Sequence, residues 1–319
     1  MLRSFFLLSG ILIPVVFSGN TVAGPLAWIT NQGADNVSVI DTADNKVLDT
    51  VAVGHRPAGV AVASDGSRVY VTNPESRDVS VLNGRNRDLI ATVAVGDGPL
   101  AIAIGPHDRY VYIADWYRHV VSILDAKSMK IVDAIKVGRS PSGLAVGPDG
   151  RILYVANRDD NNVMLVDLES REVMATIGVG TAPFGITLAP NRRELYTANV
   201  RSGDVSIIDL DQRRLEATVK VGLFPYAIAY DEPRSRIYVT NQRDGSVSVI
   251  DLDERNVIAT VITGEYPEGL SLHPDGNRLY VANWFDGMVS VIDTTTLKTI
   301  DEIETDEGSR AYGLFIAPR

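Results

Sequence analysis

Ile237-Tyr238-Val239-Thr240-Asn241 decides the architecture, because the chain writes almost the same five residues again and again. Val69-Tyr70-Val71-Thr72-Asn73, Leu153-Tyr154-Val155-Ala156-Asn157 and Leu279-Tyr280-Val281-Ala282-Asn283 are near copies. The aromatic residue recurs at Trp28, Tyr70, Tyr112, Tyr154, Tyr196, Tyr238 and Tyr280, always 42 residues on, with no slip. A fixed period of this length marks a repeat architecture. The unit around Tyr196 holds four strand-like runs, Phe184–Ala189, Leu195–Asn199, Val205–Asp209 and Leu215–Val221, with turn residues between them. Four antiparallel strands per unit describe a propeller blade. An open solenoid would need atypical polar units at its ends, and the first and last units here look like the others. The segment after residue 23 opens on a second strand (Ala27–Asn31), and the chain closes on a first strand (Tyr312–Pro318). Pairing those two strands would close the ring and leave no sheet edge open. The expectation is an all-β, seven-bladed β-propeller of four-stranded antiparallel blades, closed by the C-terminal innermost strand against the N-terminal blade.

Tyr-Val-Thr-Asn at 70–73 and 238–241, with Pro-Asp-Gly at 148–150 and 274–276 and Val-Ser-Val-Ile-Asp at 37–41, 247–251 and 289–293, resembles the YVTN-family β-propeller repeat over residues 24–319. The resemblance implies the fold. It implies little about activity, since propellers host binding, assembly and catalysis alike.

Within each unit the repeated residues read as structural. Pro57, Pro99, Pro141, Pro183, Pro225 and Pro267 fix the backbone ahead of the innermost strand. The small residues that follow, such as Gly143, Ala145 and Gly147, suit the crowded axis, and the large ones between them are expected to fill the gaps between blades. Asn31, Asn73, Asn157, Asn199, Asn241 and Asn283 turn the chain through their side-chain amides. Functional residues should instead break the repeat.

Those breaks gather in the loops that lead into the first strand of a blade and in the loops between its second and third strands, which share the face around the channel mouth. Asp115 replaces the repeated Asn and is followed by Trp116, Tyr117, Arg118 and His119, while another unit carries Trp284 and Phe285. The inbound loops add Phe184, Phe224, Tyr226, Tyr266 and Tyr312. Arginines at 56, 77, 118, 139, 158, 201, 243 and 310 lie on the same face, with Asp35, Asp78, Asp160, Asp244 and Asp286 as neighbours that could neutralise them. Aromatic and Arg-rich composition is that of a recognition surface. The expected site is Arg56, Trp116, Tyr117, Arg118, His119, Phe184, Arg201, Tyr226, Arg243, Tyr266, Trp284, Phe285 and Tyr312. Its ligand would be a partner protein or a small molecule.

Composition narrows the alternatives. The chain has 319 residues, 45% of them hydrophobic, a formal net charge of −10 and no cysteine. Thiolate metal sites, Cys nucleophiles and disulfides are excluded, and an acidic globule repels nucleic acid and anionic membranes. Arg3, the apolar run from Phe5 to Phe17, and Thr21-Val22-Ala23 read as an export signal over residues 1–23. They place the remaining chain in the periplasm or outside the cell, where a monomer with no cofactor, no metal and no catalytic residues is expected. Of four histidines, His55 and His119 fall on the loop face and His107 and His273 toward the other, with no metal-ligand spacing among them. The second reading is an enzyme, hydrolase- or lyase-like, or a redox accessory, working at the channel mouth through His55, His119 or Glu268.

Overall fold

The computed structural model describes residues 24–306 and the backbone of the strand Ala311–Ala317. The expected export signal over residues 1–23, Arg310 and the side chain of Tyr312 lie outside the described residues. Seven sheets, each of four antiparallel strands, stand around one axis. Six blades run in order from the innermost strand outward. Blade 2 begins at Val60–Val62, blade 3 at Pro99–Ile104, blade 4 at Pro141–Val146, blade 5 at Pro183–Ala189, blade 6 at Pro225–Asp231 and blade 7 at Pro267–Leu272. Blade 1 is Leu26–Asn31, Asn36–Asp41 and Lys46–Ala52, with Ala311–Ala317 paired antiparallel to Leu26–Asn31. Among the described residues, no helix is long and apolar enough to cross a membrane.

Alternation along the second and third strands builds the core. Each core cluster bridges two adjoining blades. Tyr70 of blade 2 packs on Val111, Ile113 and Leu124 of blade 3, and Tyr196 of blade 5 packs on Ile237, Val239 and Ile250 of blade 6. Tyr280 of blade 7 packs on Ala27, Ile29 and Ile40 of blade 1, so the wheel is continuous through its core. Polar contacts cross the same junction. Tyr280 Oη donates to Asn45 Oδ1 at 2.6 Å, Asn45 Nδ2 to Asp301 Oδ2 at 2.7 Å, and Asn36 Nδ2 to Asp306 Oδ2 at 2.6 Å. A buried aromatic with a satisfied hydroxyl combines a large apolar contact with a directional bond.

The innermost strands refine one expectation. Their residues alternate between the two flanking gaps rather than between axis and gap. Leu144 and Val146 pack toward blade 3, and Ala145 packs toward blade 5. Both kinds line the channel, whose middle is an apolar space of about 260 Å³ bounded by Gly59, Ala101 and Gly143 as well as Ile102 and Leu144. The glycines that follow the Pro-x pair at 143 and 185 have a specific task. A Cβ on Gly143 would collide with the carbonyl oxygen of Phe184, and one on Gly185 with that of Tyr226. Neighbouring blades therefore approach by backbone just where they converge on the mouth.

Candidate functional site

Three registers of the repeat build the loop face. The residue before the Pro, the residue after it, and the residue after the repeated Asn meet at the channel mouth. One hydrogen bond ties the first register to the third in blade after blade. Trp116 N donates to Gly98 O at 2.9 Å, Arg158 N to Ser140 O at 3.1 Å, Val200 N to Ala182 O at 3.0 Å, Gln242 N to Phe224 O at 2.9 Å and Trp284 N to Tyr266 O at 2.9 Å. Most residues before the Pro adopt the left-handed conformation although they are not glycine: Arg56, Ser140, Ala182, Phe224 and Tyr266 have φ of 53°, 52°, 58°, 56° and 54°. That costs about 1 kcal/mol or more for a bulky side chain and persists only where surroundings enforce it.

The enforcing contacts come from the same loops. Asp160, Asp244 and Asp286 each accept the backbone N–H of an inbound loop, from Arg139 at 2.6 Å, Leu223 at 2.7 Å and Glu265 at 2.5 Å. Asp160 also takes the Arg139 side chain at 2.6 Å, whereas Asp244 and Asp286 pair with no arginine among the described residues. Beneath the loops, the repeated Asn donates to a serine of the third strand, as Asn73 Nδ2 does to Ser80 Oγ and Asn199 Nδ2 to Ser206 Oγ, both at 2.9 Å. Asp115 cannot donate. Its fully buried carboxylate instead accepts three backbone N–H groups, from Asp97 at 2.8 Å, Tyr117 at 3.1 Å and Arg118 at 3.0 Å. The one substituted unit thus holds the Trp116–His119 loop by charge-assisted bonds.

On this frame blades 2 to 6 enclose a cavity of about 450 Å³. Its wall is Trp116 and Tyr117 of blade 3, Phe184 of blade 5, and Phe224 and Tyr226 of blade 6, completed by Pro74, Leu100, Arg158, Val200 and Gln242. Phe184 and Tyr226 stack with ring centroids 4.1 Å apart, and Trp116 lies 6.4 Å from Phe184 at 47°. The Arg158 guanidinium covers the Trp116 ring at 5.5 Å and pairs with Asp159 Oδ1 at 2.9 Å. Tyr117 is 69% exposed at the lip. Size, apolar wall and few polar groups are those of a small-molecule pocket.

Ten of the expected residues fall into three groups, and Arg56 and His119 stand apart from them. Trp116, Tyr117, Phe184 and Tyr226 share the cavity. Arg118, Arg201 and Arg243 are exposed in the loops around it, with Arg243 over Phe224 at 5.2 Å. Tyr266, Trp284 and Phe285 form a separate aromatic cluster on blade 7, centroids 5.7–6.4 Å apart, with Trp284 Nε1 donating to Gln32 Oε1 at 3.3 Å. Arg56 is turned to Glu75 at 3.2 Å and its N–H to Asp35. His119 does not line the cavity. Its Nδ1 accepts the Ser140 N–H at 3.1 Å, which fastens one loop to the next. His55 holds Asp35 Oδ2 at 2.7 Å, and that hydrogen bond raises the exposed imidazole above its ordinary pKa. Leu100, Arg158, Val200, Gln242 and Phe224 were outside the expected set. The signal was positional: Arg158, Val200 and Gln242 share the 42-residue register of Trp116 and Trp284, Leu100 that of Phe184 and Tyr226, and Phe224 that of Tyr266.

Glu268 lies in the same register as Leu100, Phe184 and Tyr226, one blade further round. It is buried, with 3% of its surface exposed. Gln242 Nε2 donates to its Oε1, and its Oε2 has no hydrogen-bond partner among the described residues. Burial pushes the carboxyl up to about 8, with the Gln242 bond opposing. Among the described residues, no group of three or more His, Asp or Glu side chains could hold a metal.

Comparison with known proteins completes the description. The chain is similar in structure to a functionally unknown protein from Desulfotomaculum acetoxidans, with a TM-score of 0.80 and 16% identity over 92% of this chain and 99% of that one. It is similar to Kuenenia stuttgartiensis hydrazine synthase, with a TM-score of 0.77 and 23% identity over 89% and 99%. It is also similar to dihydro-heme d1 dehydrogenase NirN in complex with DHE, with a TM-score of 0.69 and 18% identity over 89% of this chain and 64% of that one. These likenesses establish the fold alone. No curated protein is similar enough in sequence to match. Residues 228–311 match the cytochrome D1 heme domain family. Residues 28–193, just over half of the chain, match the YNCE-like beta-propeller family, and the chain belongs to it.

Proposed function

We propose that this protein is an exported binding propeller that captures a ligand or partner at the aromatic cavity of its loop face, without chemistry of its own. The carrying observation is the wall of Trp116, Tyr117, Phe184, Phe224 and Tyr226, which break the repeat in sequence yet meet in one cavity of about 450 Å³. Aromatic anchors in a preformed concavity are what binding selects, since they bury large area at little conformational cost. The cytochrome D1 match over blades 6 and 7 supports the same reading, because that family is named for a domain that carries a prosthetic group. Export rests on Arg3 and the apolar run from Phe5 to Phe17.

The test is recovery of a partner or ligand from the periplasmic fraction of the host on immobilised protein. Trp116→Ala and Phe184→Ala are expected to abolish recovery, Trp284→Ala to reduce it only for a protein large enough to reach blade 7, and all three to leave the protein folded, with the melting temperature lowered by no more than a few degrees. Undiminished recovery by Trp116→Ala and Phe184→Ala would remove the reading. A mature N-terminus near Gly24, found by sequencing the periplasmic protein, is the expected sign of export, and an intact Met1 would oppose it.

A further inference from the structure

The cavity carries information about the charge of its occupant. The protein is acidic, with 40 Asp and Glu against 30 Lys and Arg, yet the sector around the cavity is not. Arg158 is the one charged side chain in its wall, and no carboxylate lines it. Blades 3, 5 and 6 add Arg118, Arg201 and Arg243 in the surrounding loops. Elsewhere on the loop face the arginines are neutralised: Arg56 by Glu75 at 3.2 Å, Arg77 by Asp97 at 3.6 Å and Arg139 by Asp160 at 2.6 Å. Arg118, Arg201 and Arg243 have no carboxylate within 4.0 Å among the described residues. The acids that could have served them are already committed: Asp115 and Asp244 to backbone N–H groups, Asp159 to Arg158 and Ser140 Oγ at 2.6 Å. Glu268, the acid in the ring of residues that follow the prolines, is buried against Gln242, and that burial favours its neutral form. Three arginines outside any ion pair among the described residues, gathered about one aromatic cavity on an otherwise acidic surface, favour an anion there.

We infer that the occupant of the cavity is a small planar aromatic molecule bearing at least one negative charge, its ring system laid on Trp116, Phe184 and Tyr226 and its anionic group turned outward to Arg118, Arg201 and Arg243. This deepens the binding reading above and rests on it. The two parts of the recognition are separable. The rings supply contact that salt does not screen, and the arginines supply attraction that salt does.

A matched pair of fluorescent probes separates them. 1-Anilinonaphthalene-8-sulfonate and N-phenyl-1-naphthylamine share one ring scaffold, and only the first is an anion. The wild type is expected to bind the sulfonate about five- to tenfold tighter than the amine at low salt, and that preference should shrink in 0.5 M NaCl while amine binding holds. The triple variant R118A/R201A/R243A, all exposed positions, should bring the two affinities within about twofold without moving amine binding or the melting temperature. Phe184→Ala should weaken both probes together. Equal affinities in the wild type, or a sulfonate preference that survives the triple variant, would overturn the anionic assignment and leave the cavity as a binding site. Absence of binding by either probe, or binding of both that ignores Phe184→Ala, would overturn the binding reading as well.

Discussion

Phe184 and Tyr226 stand in the same register of neighbouring repeats, and their rings stack with centroids 4.1 Å apart and planes 29° apart. Two side chains that sequence keeps 42 residues apart become a single aromatic surface because Gly185 lets the backbones of blades 5 and 6 close up. Replacing Phe184 by Ala removes that surface from a half-buried position. A stability loss of about 1–2 kcal/mol is expected, with probe affinity falling at least tenfold. Thermal melting and fluorescence titration of the same sample read both quantities.

Asp115 offers a less intuitive test. Asp115→Asn restores the residue that the repeat uses in other blades, yet it should destabilise. The carboxylate accepts the Asp97 N–H through Oδ2 and those of Tyr117 and Arg118 through Oδ1. An amide has one acceptor oxygen, so at least one of these N–H groups loses its partner on the buried side chain, at a cost of about 1 kcal/mol. The Trp116 loop loosens with it. Urea denaturation should show the loss, and binding by the cavity should weaken although no wall residue has changed.

Glu268 makes stability depend on pH in a defined direction. Its pKa in the folded protein is raised to about 8, against an ordinary value near 4.5 when unfolded. Below that lower value both states hold the proton and nothing is lost. As pH rises from there to about 8 the unfolded chain releases the proton and the folded one retains it, so stability falls by roughly 1.4 kcal/mol per pH unit from this group alone. Above about 8 the loss levels off. Glu268→Gln, which can still accept from Gln242, should match the wild type at pH 4 and exceed it increasingly toward pH 8. A difference independent of pH would show that the carboxyl is not retained in its protonated form.

Ring closure can be probed at one hydroxyl. Tyr280 Oη donates to Asn45 Oδ1 at 2.6 Å, joining blade 7 to blade 1 across 235 residues of chain. Tyr280→Phe keeps the ring packed against Ala27, Ile29 and Ile40 and removes the bond, for a loss of about 1 kcal/mol. Hydrogen exchange in Leu26–Asn31 and Arg278–Asn283 should quicken together, because the two strands flank one junction.

How much of this was legible in the sequence follows from what a repeat can encode. The strands around Tyr196 were read to within about a residue of Pro183–Ala189, Glu194–Asn199, Asp204–Asp209 and Arg214–Lys220, because period-2 patterning and turn residues are local signals. Trp116, Tyr117, Phe184 and Tyr226 were legible as departures from the repeat. Arg158 was legible only as one of the arginines of the loop face, and Gln242 and Leu100 not at all, since neither is an unusual residue, and only their shared positions relative to Asn and Pro bring them to the mouth. The division between the cavity and the Tyr266–Trp284–Phe285 cluster was hidden for a different reason. It depends on distances between loops of separate blades, which composition does not carry. His119 lies on the loop face as read, but outside the cavity wall, where its Nδ1 accepts from Ser140.

The most direct check is a hydrogen–deuterium exchange footprint of the molecule or partner that co-purifies with the protein. Protection confined to 98–100, 116–119, 184–186 and 224–227 is the result this account requires. Protection instead at the opposite end of the channel, around 106–108 and 147–150, or along the outer strands, with those four segments unchanged, would contradict it.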